Sequence, residues 1–222
     1  MKKYGRIALS VLGSASLLTA APASAETASS FYDESTNSPY AGAIRGTNLG
    51  NATLTAITSL GVLQTTCTSS QFDFQPVGIT AFSFAGCTNN QGGITTVTTQ
   101  NLPYSGVVVT HAPVVGGRDG TVSVPAPNPN VHLRLVMTLP NIGIPTLTCG
   151  YGLTTSTPLT AEWFNRTNVN RPVPSNPHAQ MSMKSQVFQR LSTDTRCSPT
   201  LGLNVKYQMS AQPSGHDVRM GP

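Results

Sequence analysis

The stretch "TSSQFDFQPVGITAFSFAGC", residues 68–87, decides the class of fold. Phe72 and Phe74 stand two apart, with Asp73 between them. After a Pro76–Gly78 turn, Phe82 and Phe84 repeat the pattern. Successive side chains of a strand point to opposite faces, so this alternation predicts two half-buried strands with the four rings on one side. Cys87 ends the second strand and Cys67 precedes the first, which places a covalent staple near the ends of a small meander.

Working outward, the same period recurs. "VHLRLVMTL" sets Leu133, Leu135, Met137 and Leu139 inward, with His132, Arg134, Val136 and Thr138 on the opposite side. "TLTCGYGL" places Leu147, Cys149, Tyr151 and Leu153 on one face, and "LGLNVKYQM" does the same for Leu201, Leu203, Val205, Tyr207 and Met209. "AQMSMKSQVF" alternates through Met181 and Met183. "GGRDGT" (116–121) is a hairpin turn, with Asp119-Gly120 as its strongest signal. Residues 54–63 also carry a helical spacing of apolar side chains, yet their Thr and Gly content favours strand. The chain holds 20 Gly and 17 Pro, too many for long helices, and Thr-rich runs such as "GITTVTTQN" suit a pleated, half-wet surface. About ten short strands in an antiparallel β-sandwich are expected over residues 46–210, with a Pro-rich connector at 125–130. Residues 26–45 read as a flexible leader, 166–178 as a wandering polar loop, and 211–222 as a flexible tail.

The start of the chain sets the compartment. Lys2, Lys3 and Arg6 precede an apolar run, Ile7 to Ala20, and "APASA" supplies the small residues a signal peptidase needs. Residues 1–25 therefore read as a signal peptide cleaved after Ala25. The run is short for a membrane span, and no second such stretch follows. Secretion to the cell exterior, free or associated with the cell wall, is the expected localisation. Of 13 Lys+Arg, three leave with the signal, so ten bases face eight acids, a net of +2. The ten are scattered along the chain, so no nucleic-acid partner is expected. Only 9% of residues are charged, and hydroxyls and amides must keep the surface wet.

Four cysteines, Cys67, Cys87, Cys149 and Cys197, suit an oxidising compartment. Three pairings are open. Cys67–Cys87 and Cys149–Cys197 are preferred because each closes a local segment. No C-x-x-C spacing exists, so no metal is expected.

The sequence offers thin material for catalysis. Glu162 is the acid beside a large aromatic, and a glycosidase would need it to face Asp194 or Asp73 across one bond. His111, His132, His178 and His216 form no metal-binding motif, and no G-x-S-x-G elbow is present. A Ser-His-Asp site can hide without a motif, because its parts meet only in space. No catalytic residue and no cofactor are assigned. Trp163 and Phe164 form a candidate stacking platform for a ligand, weighed against plain packing in an aliphatic core. The "TTVTT" and "LTAITS" runs form a candidate hydroxyl face.

The elements "ITAFSFAGC" (Ile79–Cys87) and "NLPY" (Asn101–Tyr104), with a signal peptide, four cysteines, "LTCGYG" and a late cysteine, resemble a group of secreted actinobacterial proteins. That likeness implies a disulfide-stapled all-β fold and an extracellular address rather than an activity. The "N-L-P-aromatic" region is also similar to extracellular activator proteins of alkane oxidation, which implies contact with hydrophobic substrate or biofilm. Three functions follow as expectations. The first is a non-catalytic extracellular or wall-associated protein that binds or coats cell wall, polysaccharide or apolar material. The second is an accessory factor for apolar substrate or matrix, marked by an exposed aliphatic site. The third is a secreted hydrolase, marked by a His and a carboxylate gathered around a serine.

Overall fold

The computed structural model describes residues 30–222, so the signal-peptide reading lies outside the described residues. Sixteen strands build the fold: β1 (Ser30–Asp33), β2 (Ser38–Tyr40), β3 (Ile44–Asn48), β4 (Ala52–Thr58), β5 (Gly61–Gln75), β6 (Gly78–Asn89), β7 (Thr95–Gln100), β8 (Tyr104–Ser105), β9 (Val108–His111), β10 (Gly120–Val124), β11 (Asn128–Leu139), β12 (Ile144–Leu153), β13 (Leu159–Phe164), β14 (Gln180–Arg190), β15 (Thr200–Ala211) and β16 (Val218–Gly221). The only helical element among the described residues is a 3-10 turn at Pro140–Ile142. The all-β class read from the sequence therefore holds, with more strands than expected.

The deciding stretch behaves as its alternation requires. β5 and β6 pair antiparallel with Phe72 opposite Phe82, and all four rings are buried. Phe72 and Phe82 meet edge-to-face at 5.4 Å, the arrangement favoured by ring quadrupoles. Cys67 belongs to β5 itself, not to a preceding strand, and sits directly opposite Cys87, to which it is bonded. Between the staple and the phenylalanines the buried face changes sides on both strands: Thr68, Ser69, Ala85 and Gly86 are all exposed. Gly86 makes this possible. Its φ is +60°, and a Cβ there would strike Thr68 Oγ1.

Thirteen strands form one hydrogen-bonded sheet, and β16-β1-β2 form a second, small one. Its strands pair antiparallel, as expected, and the large sheet changes neighbours along its long strands. β14 pairs with β13 through Gln180–Ser182 and with β12 through Gln189 and Arg190. β15 pairs with β4 through Gly202–Asn204 and with β3 through Tyr207–Ala211. A bulge at Met183/Gln186, with Ser185 at φ 50°, bends β14 between its two partners. Residues on distant parts of the sheet then face each other. Leu54 and Leu63 line one small internal void with Leu135, Met137 and Leu147. Thr65 Oγ1 on β5 lies 3.1 Å from Thr95 Oγ1 on β7, which satisfies two buried hydroxyls. One continuous apolar cluster runs from Phe31 to Met220, across the connector at 125–130.

Both ends of the chain depart from expectation. The leader contributes β1 and β2, and the tail contributes β16. Phe31 pairs with Met220 and Tyr40, and Phe31, Val218 and Met220 are buried. Burying those side chains outweighs the entropy of fixing the two termini. The 166–178 loop does not wander either. The Gln180 side-chain amide exchanges two hydrogen bonds with the Val173 backbone, and Asn176 Nδ2 donates to Gln208 Oε1. That cover explains why Gln180, Met181, Ser182 and Met183 are buried in succession, where alternation predicts an exposed face.

Candidate functional site

Between the small terminal sheet and the end of the large one lies a cleft of about 370 Å³. β1 and β2 bring Phe31 and Tyr40, β3 brings Ile44, and β5 brings Phe74. Val107, just before β9, and Val109 of β9 complete the apolar wall. Phe31 is fixed by rings on two sides, with centroids 4.8 Å from Trp163 and 5.6 Å from Phe74. Among the described residues the lining holds no charged side chain and no histidine; its polar members are Ser30, Tyr40 and Gln75. The Tyr40 hydroxyl is occupied by backbone. It lies 2.8 and 2.9 Å from the Ala43 and Gln212 carbonyls and accepts from the Gln212 N–H at 3.0 Å. The ring therefore faces the cleft as apolar surface. The volume lies within the range of small-molecule sites. Its largely apolar wall can desolvate an apolar guest.

The titratable groups gather nearby, around the turn after β1 and the segment before β16. Ser35 Oγ stands 3.0 Å from His216 Nδ1, and Asp33 Oδ2 stands 3.3 Å from the same nitrogen. The Ser35 hydroxyl also donates to Asp33 Oδ1 at 2.5 Å. A hydrolytic triad divides these duties between the two ring nitrogens: one takes the serine proton while the acid holds the other. Here serine and acid converge on one nitrogen, and the hydroxyl proton is committed to the carboxylate. The Ser35 hydrogen bond accordingly holds the Asp33 carboxyl below its ordinary range. The group is a turn lock rather than an activated nucleophile.

A second set fastens the loop and both termini. Asp217 lies 3.1 Å from His178 Nδ1 and 3.8 Å from Arg166, which also stands 3.7 Å from Glu34. Partial burial, and then the Asp217 charge, push the Glu34 carboxyl above its usual value. Among the described residues no group of three or more His, Cys, Asp or Glu is arranged to hold a metal ion.

The residues singled out in the sequence are placed as follows. Trp163 and Phe164 are 0% and 3% exposed, so neither presents a face to a ligand. Trp163 packs on Phe31, and its indole N–H donates to Asn165 Oδ1 at 2.9 Å. The stacking-platform reading is corrected to a packing role, because both sides of the end of β13 are covered. Cys67–Cys87 and Cys149–Cys197 are the two disulfides, and no free cysteine is found among the described residues. The three carboxylates considered for glycoside hydrolysis each meet a cation instead. Glu162 faces Lys184 at 3.2 Å and Arg118 at 3.9 Å, Asp194 pairs with Arg196, and Asp73 pairs with Arg45. The Arg196 hydrogen bond pulls the Asp194 carboxyl down to about 2. His132 is half-buried, and desolvation lowers its pKa.

Sequence reasoning missed the cleft because half its lining comes from the presumed leader. The available signal was the aromatic content of that segment: Phe31, Tyr32 and Tyr40 stand among Ser, Thr and Asn. Comparison of the sequence with family models and curated proteins, and of the structure with solved structures, gives no match.

Proposed function

We propose that this is an exported, non-catalytic protein of the cell exterior that binds uncharged apolar material, an alkyl or acyl chain, in the cleft between its terminal sheet and its large sheet. The observation that carries the reading is the wall of that cleft. It is a cavity of about 370 Å³ with no charged side chain, built on buried aromatic supports. Two buried disulfides suit an oxidising exterior. The hydrolase reading loses its best support, because the one Ser-His-Asp gathering has the wrong geometry.

The test is titration of the exported protein with a fluorescent polyene fatty acid, beside Val109→Glu and the control Val115→Glu. Val109 lines the cleft, whereas Val115 is fully exposed in the loop before β10. A carboxylate in an apolar wall costs at least about 1.4 kcal/mol of binding, a tenfold loss. Saturable binding that Val109→Glu weakens and Val115→Glu does not is the expected result. No binding by the wild type, or equal binding by Val109→Glu, refutes the proposal. Retention on cell wall or polysaccharide that ignores Val109→Glu would favour the surface-coating alternative, which rests on the charge-poor, Thr-rich exterior.

A further inference from the structure

β7 is an edge strand with none of the usual protections. Its ladder partner is β11, in unbroken register from Thr95↔Met137 to Gln100↔His132. On its other side the only pairing among the described residues is the isolated bridge Thr88↔Ile94, which lies just before the strand begins. Among the described residues no loop backbone bonds to Thr95–Gln100 either. Every second residue of β7 thus turns an N–H and a C=O toward an unpaired edge, a template for another strand.

Several other edge strands are guarded. β2 carries Pro39 and β16 carries Arg219. β9 is four residues long and is followed by Pro113. β6 is bulged at Thr80 and kinked at Gly86. β7 has no charge, no proline and no bulge.

Its sequence is also self-complementary. Residues 95–99 read Thr-Thr-Val-Thr-Thr in either direction. In an antiparallel pair of two such strands centred on Val97, Thr95 meets Thr99, Thr96 meets Thr98, and Val97 meets Val97. A two-fold axis normal to the sheet keeps inward faces inward. Buried Val97 then continues the core across the junction, and exposed Thr96 and Thr98 form hydroxyl pairs on the outer face. Thr–Thr pairs on opposed strands are favourable, and no charge of either sign is brought near its like.

We propose that β7 is a homotypic interface, pairing with β7 of a second copy about a two-fold axis and joining two large sheets into one. The occupant is a second copy because the edge presents the same side chains read from either end. A single short strand buries little surface, so the association is weak, and it becomes significant where the chain is concentrated. The inference is independent of the apolar cleft.

The test is sedimentation velocity of the exported protein from about 1 to about 500 µM, a range that spans weak homotypic contacts. Thr96→Lys/Thr98→Lys sets lysine directly opposite lysine, Thr96→Glu/Thr98→Glu sets acid opposite acid, and Ser83→Lys on β6 is the control. The expected result is a reversible wild-type dimer, at least tenfold weaker self-association in each β7 double variant, and no change in the control. An equimolar mixture of the Lys and Glu variants should dimerise again, which loss of fold would not allow. Val109→Glu should dimerise as the wild type does, whatever its effect on fatty-acid binding. A wild type that stays monomeric across the range, a Lys double variant that associates normally, or a Lys/Glu mixture that stays monomeric overturns the proposal.

Discussion

Removing the two disulfides one at a time asks what each staple contributes. Cys149–Cys197 spans 48 positions and Cys67–Cys87 spans 20. Constraining the unfolded chain over those loops stabilises the fold by about 4 and about 3 kcal/mol respectively. The native surroundings push in the same direction. Cys67 and Cys87 are already neighbours in the β5–β6 ladder, which survives without them. Cys197 lies between β14 and β15, outside any strand, and its bond to Cys149 ties that connection down onto β12. For a domain of this size each kcal/mol moves the melting temperature by about 2–4 °C. Cys149→Ala/Cys197→Ala should therefore melt about 10 °C or more below the wild type, and Cys67→Ala/Cys87→Ala should fall by less. Thermal unfolding followed by circular dichroism measures both, once non-reducing peptide mass spectrometry has established the two links. A reversed order, or a Cys149→Ala/Cys197→Ala protein melting within about 2 °C of the wild type, would refute the loop-entropy reasoning.

Arg45 Nε and Nη2 donate to Asp73, whose side chain is only 10% exposed, so Arg45→Ala leaves a nearly buried carboxylate with Gln71 Nε2 as its side-chain donor; urea unfolding should show a loss of about 1–3 kcal/mol. Leu135 is buried on β11 and its neighbour His132 is half out, so Leu135→Asp should abolish export of folded protein while His132→Ala should not, as immunoblotting of culture supernatant will show. Burial lowers the His132 pKa, so its neutral form is favoured in the fold; that stability is complete above the ordinary value of 6.5 and is lost as pH falls through the depressed one. His132→Gln should flatten the melting-temperature profile between pH 7 and 5, whereas Glu34, whose pKa is raised, acts with the opposite sign and is tested by Glu34→Gln at lower pH. Truncation after Ala211 removes β16 with its buried Val218 and Met220, so the shortened protein should lose about 3–6 kcal/mol and its fatty-acid binding together; undiminished binding would mean the terminal sheet does not shape the cleft.

What was legible in the sequence was set by strand length. β11, β12 and β15 run for ten or twelve residues, long enough for a period of two to stand out, and their inward residues are the ones expected. β1, β2 and β16 have three or four residues each, and β1 and β16 are partners from opposite ends of the chain. No periodicity registers over four residues, and local composition carries no trace of a partner that remote. The 166–178 loop is held largely by Asn, Gln and Asp side chains: the Asn165 backbone N–H and Asn168 Nδ2 both donate to Asp119 Oδ2, at 2.6 and 2.9 Å. Such residues read as loop in sequence whether or not the loop is fixed. The disulfide pairs were legible because both close short segments. The stacking reading of Trp163 and Phe164 failed because adjacent residues on a strand point to opposite faces, and here both faces are covered.

The least legible feature is also the one that shapes the cleft. Remove the terminal sheet and Phe31 no longer stands between Phe74 and Trp163; the end of the large sheet becomes an open apolar surface rather than a cavity. The turn lock of Ser35, Asp33 and His216, and the Arg166 contacts to Glu34 and Asp217, hold β1 and β16 at the places where they enter and leave that sheet. The polar clusters and the apolar cleft are thus one construction. The charges that read as candidates for catalysis sit at the margins, where they fasten two chain ends, and the space they fasten is the part of the molecule without charge. That division explains why a search for reactive residues finds them close to the site yet finds none within it.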